Sequence, residues 1–136
     1  MEGFFEKKWY LDRINILEEL PEEDVTSLIK NATKKLYEKG GRIFSAGNHG
    51  NSMFLIKEGT VKIYHVAEDG KESILWFRYK GELFGLAEAI GGEKRMYFAE
   101  AVEPTTMFTI EREVFEELLL RNPKLTLILK IGRAHV

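Results

Sequence analysis

The sequence predicts a mainly β domain flanked by helices, and three observations point there. Turn signals recur at Gly40-Gly41, Gly47, Glu58-Gly59, Asp69-Gly70 and Gly81, with gaps of 12, 11 and 11 residues from Gly47 onward. Between them lie short runs rich in Ile, Val, Phe and Tyr: RIFS, MFLIK, TVKIYHV and SILWFRY. Evenly spaced short runs of that kind are the pattern of a compact all-β sandwich or barrel. On either side of them the apolar residues return to helical spacing.

The elements follow in order. Residues 9–20, WYLDRINILEEL, place Tyr10, Ile14, Leu17 and Leu20 at three- and four-residue steps, an amphipathic helix pattern. Pro21 is expected at the first position of a second helix over 21–32. Glu22, Glu23 and Asp24 then suit the positive end of its dipole. The character of the chain changes after Thr33. KKLYEKGGR carries four basic residues in nine, diluted by Glu38 and two glycines, and reads as a solvated strand and hairpin. Beyond the four central runs come strands over 96–102 and 105–110, with Pro104 at the turn between them. REVFEELLLRN is helical, with Val114, Phe115, Leu118 and Leu119 on one face. Pro123 interrupts it before an apolar, helix-like KLTLILK. The divisions expected are therefore a helical segment over 1–33, a β-roll over 34–110 and a C-terminal helical part over 111–130. The last residues, IGRAHV at 131–136, resemble the translation of a sequencing-adapter oligonucleotide. They are read as a scar on a longer natural protein.

Composition excludes several classes. Twenty basic residues against 22 acidic ones give a net charge of −2, no electrostatic footprint for nucleic acid. The absence of cysteine rules out disulfides, Cys-ligated zinc and cysteine-held iron–sulfur clusters, and a reducing cytoplasm is the natural reading. The first residues lack the apolar core of a secretory signal, and no run approaches the ~20 apolar residues of a membrane span. A cupin-like metal centre would need clustered ligands, but His49 sits in a Gly-Asn turn, His65 stands alone on a strand and His135 lies in the expected scar. Ser45, Ser52 and Ser73 have no nucleophile-elbow context. No enzyme signature is present.

One stretch carries chemistry. Residues 81–101, GELFGLAEAIGGEKRMYFAEA, set four glycines, four acids and one arginine between apolar strands. A glycine such as Gly85 lets backbone approach a ligand closely. A short helix start offers unpaired N–H groups to an anion, and an arginine supplies planar donors suited to phosphate oxygens. The bland alternative is that Gly85 and Arg95 hold a turn and a surface ion pair.

From about Leu36 to Leu120 the chain resembles the cyclic-nucleotide-binding domain of the Crp/Fnr group of bacterial transcription regulators. FLIKEGTVKIYHVAEDGKESILWF, GELFGLAEAIGG, the Lys-Arg of EKRMYFAEA and TIEREVFEELLLRNP carry the resemblance. It implies an eight-stranded, jelly-roll-like double-stranded β-helix with N-terminal helices and a C-terminal helix. It also implies a long dimerisation helix and a helix-turn-helix DNA-binding domain beyond, with KLTLILK as the first turns of that helix. Val114, Leu118, Leu119, Leu125, Leu127 and Leu129 would then be buried against a partner.

In such domains the segment from the Phe-Gly pair to the Arg-Ser pair is a phosphate-binding cassette. Mapped here, the implied ligand-binding residues are Gly85, Leu86, Ala87, Glu88, Arg95 and Met96. Arg95 matches the family arginine. Cyclic-AMP-binding members have a ribose-binding glutamate where this chain has Leu86, and a serine or threonine where it has Met96. Losing those bonds costs roughly 1.5–3 kcal/mol for a charged group and about 1 for a neutral one. That is on the order of a hundred- to a thousandfold in affinity. Glu88, two residues past Leu86, would substitute only if the short helix were rotated. The implied effector is a small anionic molecule, a cyclic nucleotide being the less favoured choice, with Leu86, Met96 and Trp76 lining a more apolar pocket. Changing Leu86→Glu and Met96→Ser would return the lost groups. Two functions stay open: the sensor half of a dimeric regulator, this piece itself binding no DNA and no membrane, or a regulatory module of a kinase, channel or transporter.

Overall fold

The structure is a computed structural model that describes residues 20–123, apart from the side chains of Ala87 and Ile90. The helix expected over 9–20 (Leu20 excepted), the segment 124–130 and the tail 131–136 lie outside the described residues.

Helix α1 spans Glu22–Lys30. Pro21 is its N-cap rather than its first helical residue, and the three acids fill the first turn. Eight strands follow: β1 Thr33–Tyr37, β2 Arg42–Phe44, β3 Ser52–Glu58, β4 Thr60–Val66, β5 Glu72–Tyr79, β6 Leu83–Phe84, β7 Phe98–Ala101 and β8 Thr105–Glu111. Helix α2, Leu86–Gly91, interrupts them between β6 and β7, and α3, Arg112–Arg121, follows β8. The strands form two antiparallel four-stranded sheets, β1-β8-β3-β6 and β2-β7-β4-β5. This is the jelly-roll arrangement. Strand β6 has only two residues, too few for any alternation to mark it in sequence.

The run MFLI of β3 is continuously apolar because the first sheet is covered on both faces. Successive strand residues point to opposite sides. Met53 and Leu55 enter a cluster with Leu28, Ile110, Phe115 and Leu118 under the helices. Phe54 and Ile56 enter a second cluster between the sheets, with Val61, Ile63, Phe84 and Met107. Helix α3 is thus fastened by its own core. Phe115 and Leu118 are buried there, and Val114 and Leu119 pack against it. This corrects the expectation that Val114, Leu118 and Leu119 await a partner. Leu120, 85% exposed, is the large apolar residue of α3 left outside.

Candidate functional site

The site is built where β6 runs into α2. Gly85 makes the elbow at φ +80°, a left-handed conformation that L side chains rarely adopt. A Cβ there would lie 2.9 Å from Arg95 Nη1 and 3.2 Å from the Phe54 ring, so glycine is required by space as well as by φ. The chain turns at once into the helix, whose end is closed by Gly92, also left-handed.

Arg95 returns across this elbow and is 3% exposed. Its Nη1 donates to the Gly85 carbonyl at 2.8 Å and to Glu88 Oε1 at 3.2 Å. Its Nη2 donates to the Ser52 carbonyl at the start of β3. The guanidinium carbon lies 4.5 Å from the Phe44 ring centre and 5.6 Å from that of Phe54, within cation–π range. Glu88 is 5% exposed, so this is a buried ion pair and not a surface one. A buried charge is tolerated only when paired and hydrogen-bonded, and Arg95 is both.

The loop before β3 fixes the backbone around Arg95. Arg95 N–H donates to the Asn48 carbonyl at 2.7 Å, and Gly47 N–H to the Arg95 carbonyl at 2.8 Å. Gly50 lies against the ion pair, where a Cβ would come within 2.5 Å of Glu88 Cβ and 3.1 Å of Arg95 Cζ. Gly50, Phe44 and Phe54 have no site role in the sequence reading, and Ser52 enters it only as a serine without a nucleophile-elbow context. Only the glycine-rich turn GNHGN hinted at close packing there.

The other cassette residues fall differently. Leu86 is 2% exposed and packs beneath the helices with Leu28, Phe115 and Leu118. Met96 is half-buried against the cluster between the sheets. The Ala87 side chain lies outside the described residues. A small cavity of about 10 Å³ adjoins the elbow, walled by Phe44, Trp76, Phe84 and Tyr97 with Ile63. Gly85 and Glu88 complete its lining, and it is open to solvent. Trp76 lines this recess, whereas Leu86 and Met96 do not. The volume matches a single water, while ligand pockets commonly reach several hundred Å³. A larger recess, of about 220 Å³, opens between α1 and α3 and contains none of the cassette residues. Among the described residues no group of three or more His, Cys, Asp or Glu could hold a metal ion.

Residues 34–122 match the family model of the cyclic nucleotide-binding domain. The chain belongs to that family. Within it, the domain is similar to Crp/Fnr-type regulators. The fumarate and nitrate reduction regulatory protein of Vibrio cholerae is 37% identical over 92 residues, which is 68% of this chain and 36% of that protein. Its Escherichia coli K12 counterpart is 36% identical over the same length and shares. The chain therefore spans about a third of the length of these relatives. The Thermus thermophilus catabolite activator protein superposes with a TM-score of 0.78 at 28% identity, over 89% of this chain and 57% of that one. The sensor domain of the regulator DNR from Pseudomonas aeruginosa gives a TM-score of 0.79 at 23% identity, over 98% and 90%, a likeness of fold alone. By name these relatives are regulatory proteins. No helix among the described residues is long and apolar enough to cross a membrane.

Proposed function

We propose that this domain is the effector-sensing part of a cytoplasmic, homodimeric Crp/Fnr-type transcription regulator. Its effector is a small anionic molecule bound at the cassette between Gly85 and Met96. The observation that carries this reading is the convergence of Gly85, Glu88 and Arg95 at one elbow, inside a domain of this family. An arginine beside a left-handed glycine elbow is suited to a phosphate or carboxylate. In this reading residues 1–33 support the roll, 111–130 lead toward a dimerisation helix, and a helix-turn-helix follows.

Cyclic AMP is the poorer candidate for the effector. Leu86 supplies no acceptor, and the side chain is turned into the apolar cluster beneath the helices. The substitution Leu86→Glu would accordingly bury a carboxylate among Leu28, Phe115 and Leu118 and unfold the domain rather than create a ribose contact. The test is to read the gene beyond residue 130 and assay the full product on promoter DNA. A helix-turn-helix and effector-dependent DNA binding support the proposal. A kinase, channel or transporter sequence there would overturn it in favour of a regulatory module of another protein.

A further inference from the structure

The cavity and the guanidinium are neighbours that do not meet. Arg95 is not among the cavity's lining residues, whereas Glu88 is. The Glu88 carboxylate stands on Arg95 Nη1 at 3.2 Å. It therefore stands between the aromatic cavity and the Arg95 guanidinium, while a second guanidinium, that of Arg78, lies 5.5 Å from the centre of the Trp76 ring. An anion in the cavity as built would face a like charge first.

We propose that Glu88 is the built-in occupant of the Arg95 site, a carboxylate that an incoming anion must displace before it can bind. This rests on the reading of the cassette as an anion site. Three observations support displacement rather than addition. The recess is open to solvent but holds only about one water between its walls, so a ligand that reaches past them to Arg95 must move a wall. Of the walls, the four aromatic ones belong to packed strands or to the segment entering β7, while Glu88 sits on a helix of six residues with left-handed glycines at both ends. Arg95 itself is held independently by the Gly85 and Ser52 carbonyls and the Phe44 and Phe54 rings, so it would stay in place when the carboxylate leaves. The device also selects ligand chemistry. A monodentate carboxylate offers Arg95 no more than Glu88 already does, whereas a phosphate-type oxyanion offers several acceptors to the planar donors. Phosphoryl compounds are the class expected to win the exchange.

The test uses cyclic AMP as the anionic probe and adenosine as its uncharged counterpart, with titration calorimetry on the full chain and on Glu88→Gln. Glutamine keeps the size and a hydrogen-bond acceptor but removes the competing charge. The expected result is at least tenfold tighter binding of cyclic AMP by Glu88→Gln, with adenosine unchanged and the gain lost on adding Arg95→Lys. Equal, Arg95-dependent binding of cyclic AMP by both chains would overturn the displacement and leave the anion site standing. Should neither chain bind cyclic AMP, the same comparison is made with inorganic phosphate, and binding of neither anion by either chain would overturn both. Should Glu88→Gln not fold, nitrogen-15 resonances of the Arg95 side chain in the unaltered chain decide the matter. Saturation with cyclic AMP must break the Glu88 contact, and its persistence in the bound state would refute the proposal.

Discussion

Helix α2 faces two interiors of opposite character. Leu86 and Ala89 enter the apolar cluster beneath the helices, with Leu28, Phe115 and Leu118. Glu88 enters the end of the inter-sheet interior and meets Arg95. The apolar side is held by non-directional burial, which any neighbour of suitable shape can share. The charged side depends on particular partners at hydrogen-bond distance, and removing one strands the others. A six-residue helix can join both because successive residues turn by about 100°. Leu86 and Glu88 thus point to opposite faces, while Leu86 and Ala89 share one.

Four substitutions test this contrast, from the largest effect down. Arg95→Ala leaves the Glu88 carboxylate buried without its cation and should cost about 3–5 kcal/mol in urea unfolding. A loss under about 1 kcal/mol would mean that the charged side is not held as described. On the apolar side, Leu118→Ala should cost roughly 3 kcal/mol. It should leave ligand titrations unaltered once the domain is folded, and a changed affinity would join the two interiors into one. Gly50→Ala pushes a methyl onto Glu88 and Arg95 and should cost about 1–3 kcal/mol, read from the same unfolding curves. An equal or higher denaturation midpoint would show slack in that packing. Leu120→Ser changes an exposed residue outside both interiors and should stay within about 0.5 kcal/mol. A larger loss would reveal that α3 has a contact through Leu120.

The apolar side was largely legible in the sequence. Short apolar runs and the three- and four-residue steps of α3 identify its members, and turn glycines place the strand ends. The alternation could not say which face of β3 meets which layer, because Met53, Phe54, Leu55 and Ile56 are all apolar. Motif resemblance brought Gly85 and Arg95 forward, and the structure sets them 2.8 Å apart through the Gly85 carbonyl. The rotational phase of α2 was not legible. Resemblance assigns Leu86 a ligand-facing place, yet the helix turns it into the core and turns Glu88 toward the arginine. An acid inside LAEAI, seven residues before the lone arginine of the stretch, was the available signal. Pairing across a chain reversal leaves no periodic trace. Neither does the fit of Gly50 against the pair, which depends on a loop 45 residues before Arg95 in sequence.

The central claim is that Glu88 engages Arg95 within the fold. A double-mutant cycle of Glu88→Ala and Arg95→Ala, measured by urea unfolding of the two single variants and the double variant, tests it most directly. The account predicts a coupling of about 1–3 kcal/mol, because each single change strands the other partner. Additivity within about 0.5 kcal/mol would contradict it and show the two side chains to be energetically independent.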